Sequence, residues 1–106
     1  MYVIIIGCGN VGYHLATSLL SMGHEVLGIE MNLDLCQRIT DELGSVIFHG
    51  NGSQVRVLKE AGAKRADLLI AATGRDEDNL VACQVAKKEF GTPRTVALVN
   101  HPENEP

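Results

Sequence analysis

Three cysteines in 106 residues, Cys8, Cys36 and Cys83, form an odd and widely spaced set without a Cys-x-x-Cys pair. Such a set excludes a disulfide framework and a zinc site, and it fits a reducing compartment such as the cytoplasm. Long apolar runs are missing as well. Nothing approaches the ~18 continuous apolar residues that a bilayer crossing needs, so a soluble chain with no direct membrane insertion is expected. The opening run, Met1-Tyr2-Val3-Ile4-Ile5-Ile6, has no basic segment ahead of it and stops at Gly7, too soon for a secretory signal. Basic charge is scarce: nine Lys and Arg face thirteen Asp and Glu, for a formal net charge of −4, and the cations are scattered. The footprint of a nucleic-acid or anionic-membrane binder is absent. No internal repeat or low-complexity tract interrupts residues 1–100. His101-Pro102-Glu103-Asn104-Glu105-Pro106 reads as a polar tail at a truncation point.

What is present is one domain's worth of short β-branched runs alternating with helical stripes, the pattern of strands joined by crossover helices. Strands are expected at residues 2–6, 25–30, 46–49, 67–72 and 95–99. The first is apolar throughout, as befits a strand covered on both faces. A helix from Asn10 points Val11, Leu15, Leu19 and Met22 inward and stops at Gly23; a second, from about Asn32, buries Leu35, Cys36, Ile39 and Leu43 before Gly44. A short third helix buries Val55 and Leu58, and a fourth from Asp76 directs Leu80, Val81, Val85 and Phe90 to the core before Gly91. Right-handed crossovers then favour a doubly wound parallel sheet of order 3-2-1-4-5, one strand short of the usual six. Strand five is left at an open edge that a partner would cover.

The chemistry is concentrated at one sheet edge. Gly7-Cys8-Gly9-Asn10-Val11-Gly12 follows the first strand and opens a helix, the context in which Gly-x-Gly-x-x-Gly binds a dinucleotide pyrophosphate and which marks a Rossmann-type fold. Glu30 ends the second strand a little over ~20 residues later, where an acid takes a ribose 2′-hydroxyl and repels a 2′-phosphate. Met31 and Asn32 follow with no cation, which favours NAD or an adenine nucleotide over NADP. In Gly50-Asn51-Gly52-Ser53, Asn51 is placed to face an adenine; alternatively, Gly and Asn simply tolerate positive φ and Ser53 caps a helix. Thr73 in Thr73-Gly74-Arg75-Asp76 is placed to hydrogen-bond a ribose or phosphate at the switch point. Asp76, Glu77 and Asp78 oppose a helix dipole, with Asp76 as a cap; adjacent carboxylates diverge too much to share a metal readily. His14, His24, His49 and His101 lie in different elements, and no catalytic triad is evident. Cys8 combines a small side chain suited to the loop with a helix start that would favour a thiolate.

Further blocks fall in register with these: Val57-Leu58-Lys59-Glu60-Ala61-Gly62-Ala63, Ala66-Asp67, Ala71-Ala72-Thr73-x-x-Asp76-Glu77-x-Asn79-Leu80 and Ala82-Cys83-Gln84-Val85-Ala86. From Tyr2 to about Asn100 the set resembles the TrkA-N family, also called KTN or RCK domains. The resemblance implies a non-catalytic cytoplasmic sensor that sits at the inner face of the membrane through its transporter. NAD(H), or ATP, ADP or AMP, would bind in the cleft, with Ala72, Thr73, Gly74, Asp76 and Asn79 on one wall. Ligand binding would bias a homodimer or larger ring that acts on a potassium-translocating membrane subunit. Two residues depart from the family's habit: Asn51 where many members carry Asp, and Asn10 where ATP-preferring members carry Arg. The second departure favours NAD(H). The competing expectations are the cofactor half of an NAD-dependent oxidoreductase and the same sensor serving a potassium/proton antiporter.

Overall fold

A computed structural model describes residues 1–100; the expected polar tail at 101–106 lies outside the described residues. The elements are β1 (Tyr2–Ile6), α1 (Asn10–Ser21), β2 (Glu25–Glu30), α2 (Leu33–Leu43), β3 (Ile47–His49), α3 (Val55–Glu60), β4 (Leu68–Ala71), α4 (Asp76–Phe90) and β5 (Arg94–Ala97), with a 3-10 turn at Ala63–Arg65. The strands form one parallel sheet of order β3-β2-β1-β4-β5. That is the doubly wound Rossmann-type arrangement, with β5 at one edge of the described sheet.

Both faces of β1 are covered, and its alternation sorts them. Tyr2, Ile4 and Ile6 point to a core shared with Val57 and Leu58 of α3 and Ala82, Cys83 and Ala86 of α4. Val3 and Ile5 point the other way, onto Ala16 of α1 with Val26 and Ile70. A strand buried on both faces cannot alternate apolar with polar, which is why β1 reads as a continuous run.

The second helix buries Cys36 and Ile39 as expected, while the other three depart in part from the expected stripes. In α4 Leu80 and Val81 are exposed, and the face against the sheet is Asn79, Ala82, Cys83 and Ala86, with Val85 and Phe90 flanking it. Val11 in α1 and Met22 just after it are exposed and Gly12 and Ala16 are the buried positions, while Leu15 and Leu19 flank that core. Val55 is exposed where Val57 is buried. In α1 and α4 small residues occupy the line of contact because helix and sheet lie close, and larger apolar groups are displaced to its margins, whereas in α3 only the helix's rotation differs. β3, β4 and β5 are also each shorter than expected.

At the centre of the sheet β1 ends between β2 and β4, where the crossovers on its two sides diverge. Gly7 N donates to Ile29 O at 2.8 Å, and Ala72 N donates to Ile6 O at 2.7 Å. These bonds set the glycine loop, the end of β2 and the end of β4 around one crevice, the place where open α/β sheets hold ligands.

Candidate functional site

The glycine loop has its shape because side chains are excluded from it. Gly7 adopts φ +88°, and a Cβ there would lie 2.8 Å from the Thr73 Cα. A Cβ on Gly12 would lie 1.9 Å from Gly7 O, so α1 rests directly on the loop backbone. Gly9 is different, since a Cβ there would meet nothing within 4 Å. Its bare backbone faces open space and leaves room for a group to approach. Gly9 is the residue before α1, no side chain caps that helix, and its first turn contains no acid. The unpartnered N–H groups of such a turn and the positive end of the helix dipole favour an anion.

Glu30 closes the crevice on the β2 side. Its Oε1 accepts from Cys8 N at 2.8 Å and its Oε2 from Asn32 N at 2.9 Å, so the carboxylate ties the glycine loop to the start of α2. Asn32 in turn caps α2 by accepting from Leu35 N at 3.0 Å. His49 donates from Nε2 to Met31 O at 2.9 Å, fixing the intervening loop. On the β3 side Asn51 Oδ1 accepts from Ser53 N at 2.9 Å and from Ser53 Oγ at 2.7 Å. Neither Gly50, Asn51 nor Gly52 has positive φ, and Gln54, not Ser53, precedes α3. The glycines answer to packing instead: a Cβ on Gly52 would fall 2.5 Å from the Ile6 side chain.

The β4 side is built on Asn79, which is fully buried. Its Oδ1 accepts from Thr73 N at 2.9 Å and from Thr73 Oγ1 at 2.6 Å, while its Nδ2 donates to Thr73 O at 3.1 Å and to Leu98 O at 3.0 Å. Asp76 is also buried; its Oδ1 accepts from Asn100 N at 2.7 Å and from Asn100 Nδ2 at 2.9 Å. Asp76 is the first residue of α4, and Arg75 holds the cap position. Asn100 Nδ2 lies 3.0 Å from Thr73 O as well.

These walls enclose a cleft of about 360 Å³. Of the residues singled out in the sequence, Gly7, Gly9, Glu30, Met31, Asn51, Gly52, Ser53, Ala72, Thr73 and Gly74 line it. Cys8 and Asn10 open instead on a smaller cleft of about 220 Å³ beside Tyr13 and Arg38. Val11 is exposed, Gly12 is covered by the loop, and Asp76 and Asn79 stand behind the wall they support. The sequence reading missed Ile6, Ile29, Leu35 and Gly50 as lining residues, together with Asn32, Arg75 and Asp78. Leu35 had a signal, since it borders the acid-ended strand, but its apolar character assigned it to the core. Among the described residues no group of three or more His, Cys, Asp or Glu side chains is gathered to hold a metal.

Cys8 is buried beneath the loop, with its sulfur 2.6 Å from where a Gly28 Cβ would stand. Burial, with smaller contributions from the Glu30 and Cys36 charges, pushes its thiol from an ordinary 9.0 up to about 12. The helix start does not yield a thiolate here. The unfolded chain ionises first, so the contribution of Cys8 to stability is complete below the ordinary thiol range and declines as pH rises from 9.0 to about 12. In a Cys36→Ala, Cys83→Ala background, iodoacetamide at pH ~8 is expected to leave native Cys8 unmodified while denatured protein reacts fully. Rapid labelling of the native variant would contradict the closed loop.

Strand order, glycine turn and cleft define the class: a Rossmann-type α/β domain whose crevice opens at the switch point. The chain belongs to the TrkA-N family, whose model matches residues 3–106. A Trk system potassium uptake protein TrkA homolog from Methanothermobacter thermautotrophicus is 42% identical over 105 residues, 99% of this chain and 48% of the relative. The chain thus spans about half the length of that relative. In structure it is similar to the TrkA-N domain of inner membrane protein ybaL from Escherichia coli, with TM-score 0.87 and 18% identity over 96% of this chain and 75% of the other. It is also similar to the AMP-bound Kef CTD of Shewanella denitrificans, with TM-score 0.77 and 23% identity over 90% and 57% of the two chains. No helix among the described residues is long and apolar enough to cross a membrane.

Proposed function

We propose that this domain is the nucleotide-sensing part of a potassium uptake system, binding NAD(H) or an adenine nucleotide and transmitting its presence to a potassium-translocating membrane subunit. The observation that carries this reading is the pairing of a capless, glycine-bared helix start with a carboxylate held in place across the same cleft. The first suits a phosphate and the second a ribose diol. Met31, Leu35 and the Asn51 turn form the remaining wall for the adenine. The Kef domain, which shares the fold, is AMP-bound.

The role is regulatory and non-enzymatic. Related proteins are named for potassium uptake, and His14, His24 and His49 lie apart, in α1, before β2 and in β3. Regulation needs only a ligand that binds one arrangement of the assembled domains better than another, by about 1–3 kcal/mol. A dimer or ring of cytoplasmic domains attached to the transporter supplies those arrangements. The oxidoreductase reading requires a proton donor beside the nicotinamide, and purified protein given NADH and a panel of acceptors is expected to show no steady turnover.

Calorimetric titration with NAD, NADH, NADP, ATP, ADP and AMP tests the binding reading. NAD(H) is expected to bind more tightly than NADP, and Glu30→Ala to lower NAD(H) affinity by about tenfold or more, because a charged acceptor for the ribose is lost. Equal affinity for NAD and NADP in the wild type would overturn the ribose assignment.

A further inference from the structure

The cleft wall contains three charged side chains, Glu30, Arg75 and Asp78. Both oxygens of Glu30 accept backbone N–H bonds at the β2 end of the cleft. The glycine loop contributes no cation, because position 10 is asparagine. Among the described lining residues, therefore, Arg75 alone offers positive charge to a phosphorylated ligand.

Its position is well set. Arg75 N donates to Thr73 Oγ1 at 3.2 Å, and that oxygen is held at 2.6 Å from Oδ1 of the buried Asn79. The Thr73 backbone is in turn packed so tightly on Gly7 that a single Cβ would not fit between them. The segment bearing Arg75 thus borders the glycine loop, while its guanidinium stands in solvent. The guanidinium lies 3.9 Å from the Glu77 carboxylate and 3.4 Å from that of Asp78, with the Arg75 side chain 72% exposed. Exposed pairs of this kind are weak and screened by salt, so a phosphate can displace them at little cost.

We propose that Arg75 is the charge partner for the phosphates beyond the first, in a dinucleotide or in a nucleoside di- or triphosphate. The proposal rests on the nucleotide-binding reading above and adds a specificity determinant to it. The planar fork of arginine suits two phosphate oxygens at once, and this residue supplies from the β4–α4 segment the charge that Asn10 does not. Monophosphates end at the glycine loop and gain nothing from it.

Wild type, Arg75→Ala and Arg75→Lys should be titrated calorimetrically with adenosine, AMP, ADP, ATP and NAD at two salt concentrations. Arg75→Ala is expected to weaken ADP and ATP by about tenfold, with NAD falling equally if the bridging pyrophosphate is the group held. AMP and adenosine are expected to change by less than about twofold, Arg75→Lys to be intermediate, and the loss to shrink as salt rises. A loss confined to ADP and ATP supports the assignment and identifies a terminal phosphate as the partner. Unchanged ADP affinity, or an equal loss for adenosine, overturns it while leaving nucleotide binding intact. Failure of wild type to bind any of the five overturns both readings.

Discussion

Gly12→Ala is expected to destabilise the domain by about 3 kcal/mol or more, lowering its melting temperature by about 12 °C or more. The added methyl would sit 1.9 Å from Gly7 O and 2.9 Å from Gly7 C, and neither atom can rotate away as the end of a flexible side chain can. The strain can relax only if α1 lifts from the loop, which separates the helix start from Gly9 and removes the anion site. Gly9→Ala is the informative control. Its methyl meets nothing within 4 Å, and Gly9 has φ −70°, which alanine adopts freely. Thermal or urea unfolding is expected to find Gly9→Ala within about 1 kcal/mol of wild type. Its NAD affinity should nevertheless fall, because the methyl occupies the face a phosphate must approach. A Gly12→Ala protein as stable as wild type would refute the described contact.

Asn79→Ala is expected to cost about 3–4 kcal/mol, a sum of lost packing and of buried groups left without partners. Asn79 is 0% exposed and serves Thr73 N, Thr73 Oγ1, Thr73 O and Leu98 O at once. Asn79→Leu refills the site with a somewhat larger side chain and restores none of the hydrogen bonds. It should therefore recover little of the loss, and the difference between the two variants separates packing from polar satisfaction. Both should also weaken nucleotide binding, since Thr73 and Arg75 lose their support. Denaturant unfolding showing either variant within about 1 kcal/mol of wild type would mean that the network contributes little.

Much of this architecture is legible in the residues. Five apolar runs, each followed by glycine, polar caps or both, are enough for the sheet order, because right-handed crossovers leave few alternatives. The glycine loop and Glu30 stand where spacing alone places them. Other features are not legible, for physical reasons. In α4 the spacing 79, 82, 83, 86 has the same helical period as the more hydrophobic 80, 81, 85, and periodicity cannot reveal that close helix–sheet approach selects the smaller set. Asn79, placed on the cleft wall by the family resemblance, is fully buried and bonded to the Thr73 backbone. Asn51 and Ser53 read as a positive-φ turn with a cap, yet they bond each other in extended or right-handed backbone, and Gly52 is demanded by the Ile6 side chain. Arg75 leaves no pattern at all: it belongs to a short connecting segment, where side-chain direction follows from Thr73 and not from any repeat.

The bonds that gather Thr73, Asp76, Asn79, Leu98 and Asn100 give the cleft wall and the exit of β5 a common fate. Thr73 O receives both the Asn79 and the Asn100 side-chain amides, and Asp76 Oδ1 receives the Asn100 backbone. The polypeptide leaving the sheet at residues 98–100 is latched to the rim of the crevice at hydrogen-bond range. Displacing either by an ångström breaks several bonds together, so rim and exit move as one rigid piece or come apart in one cooperative step.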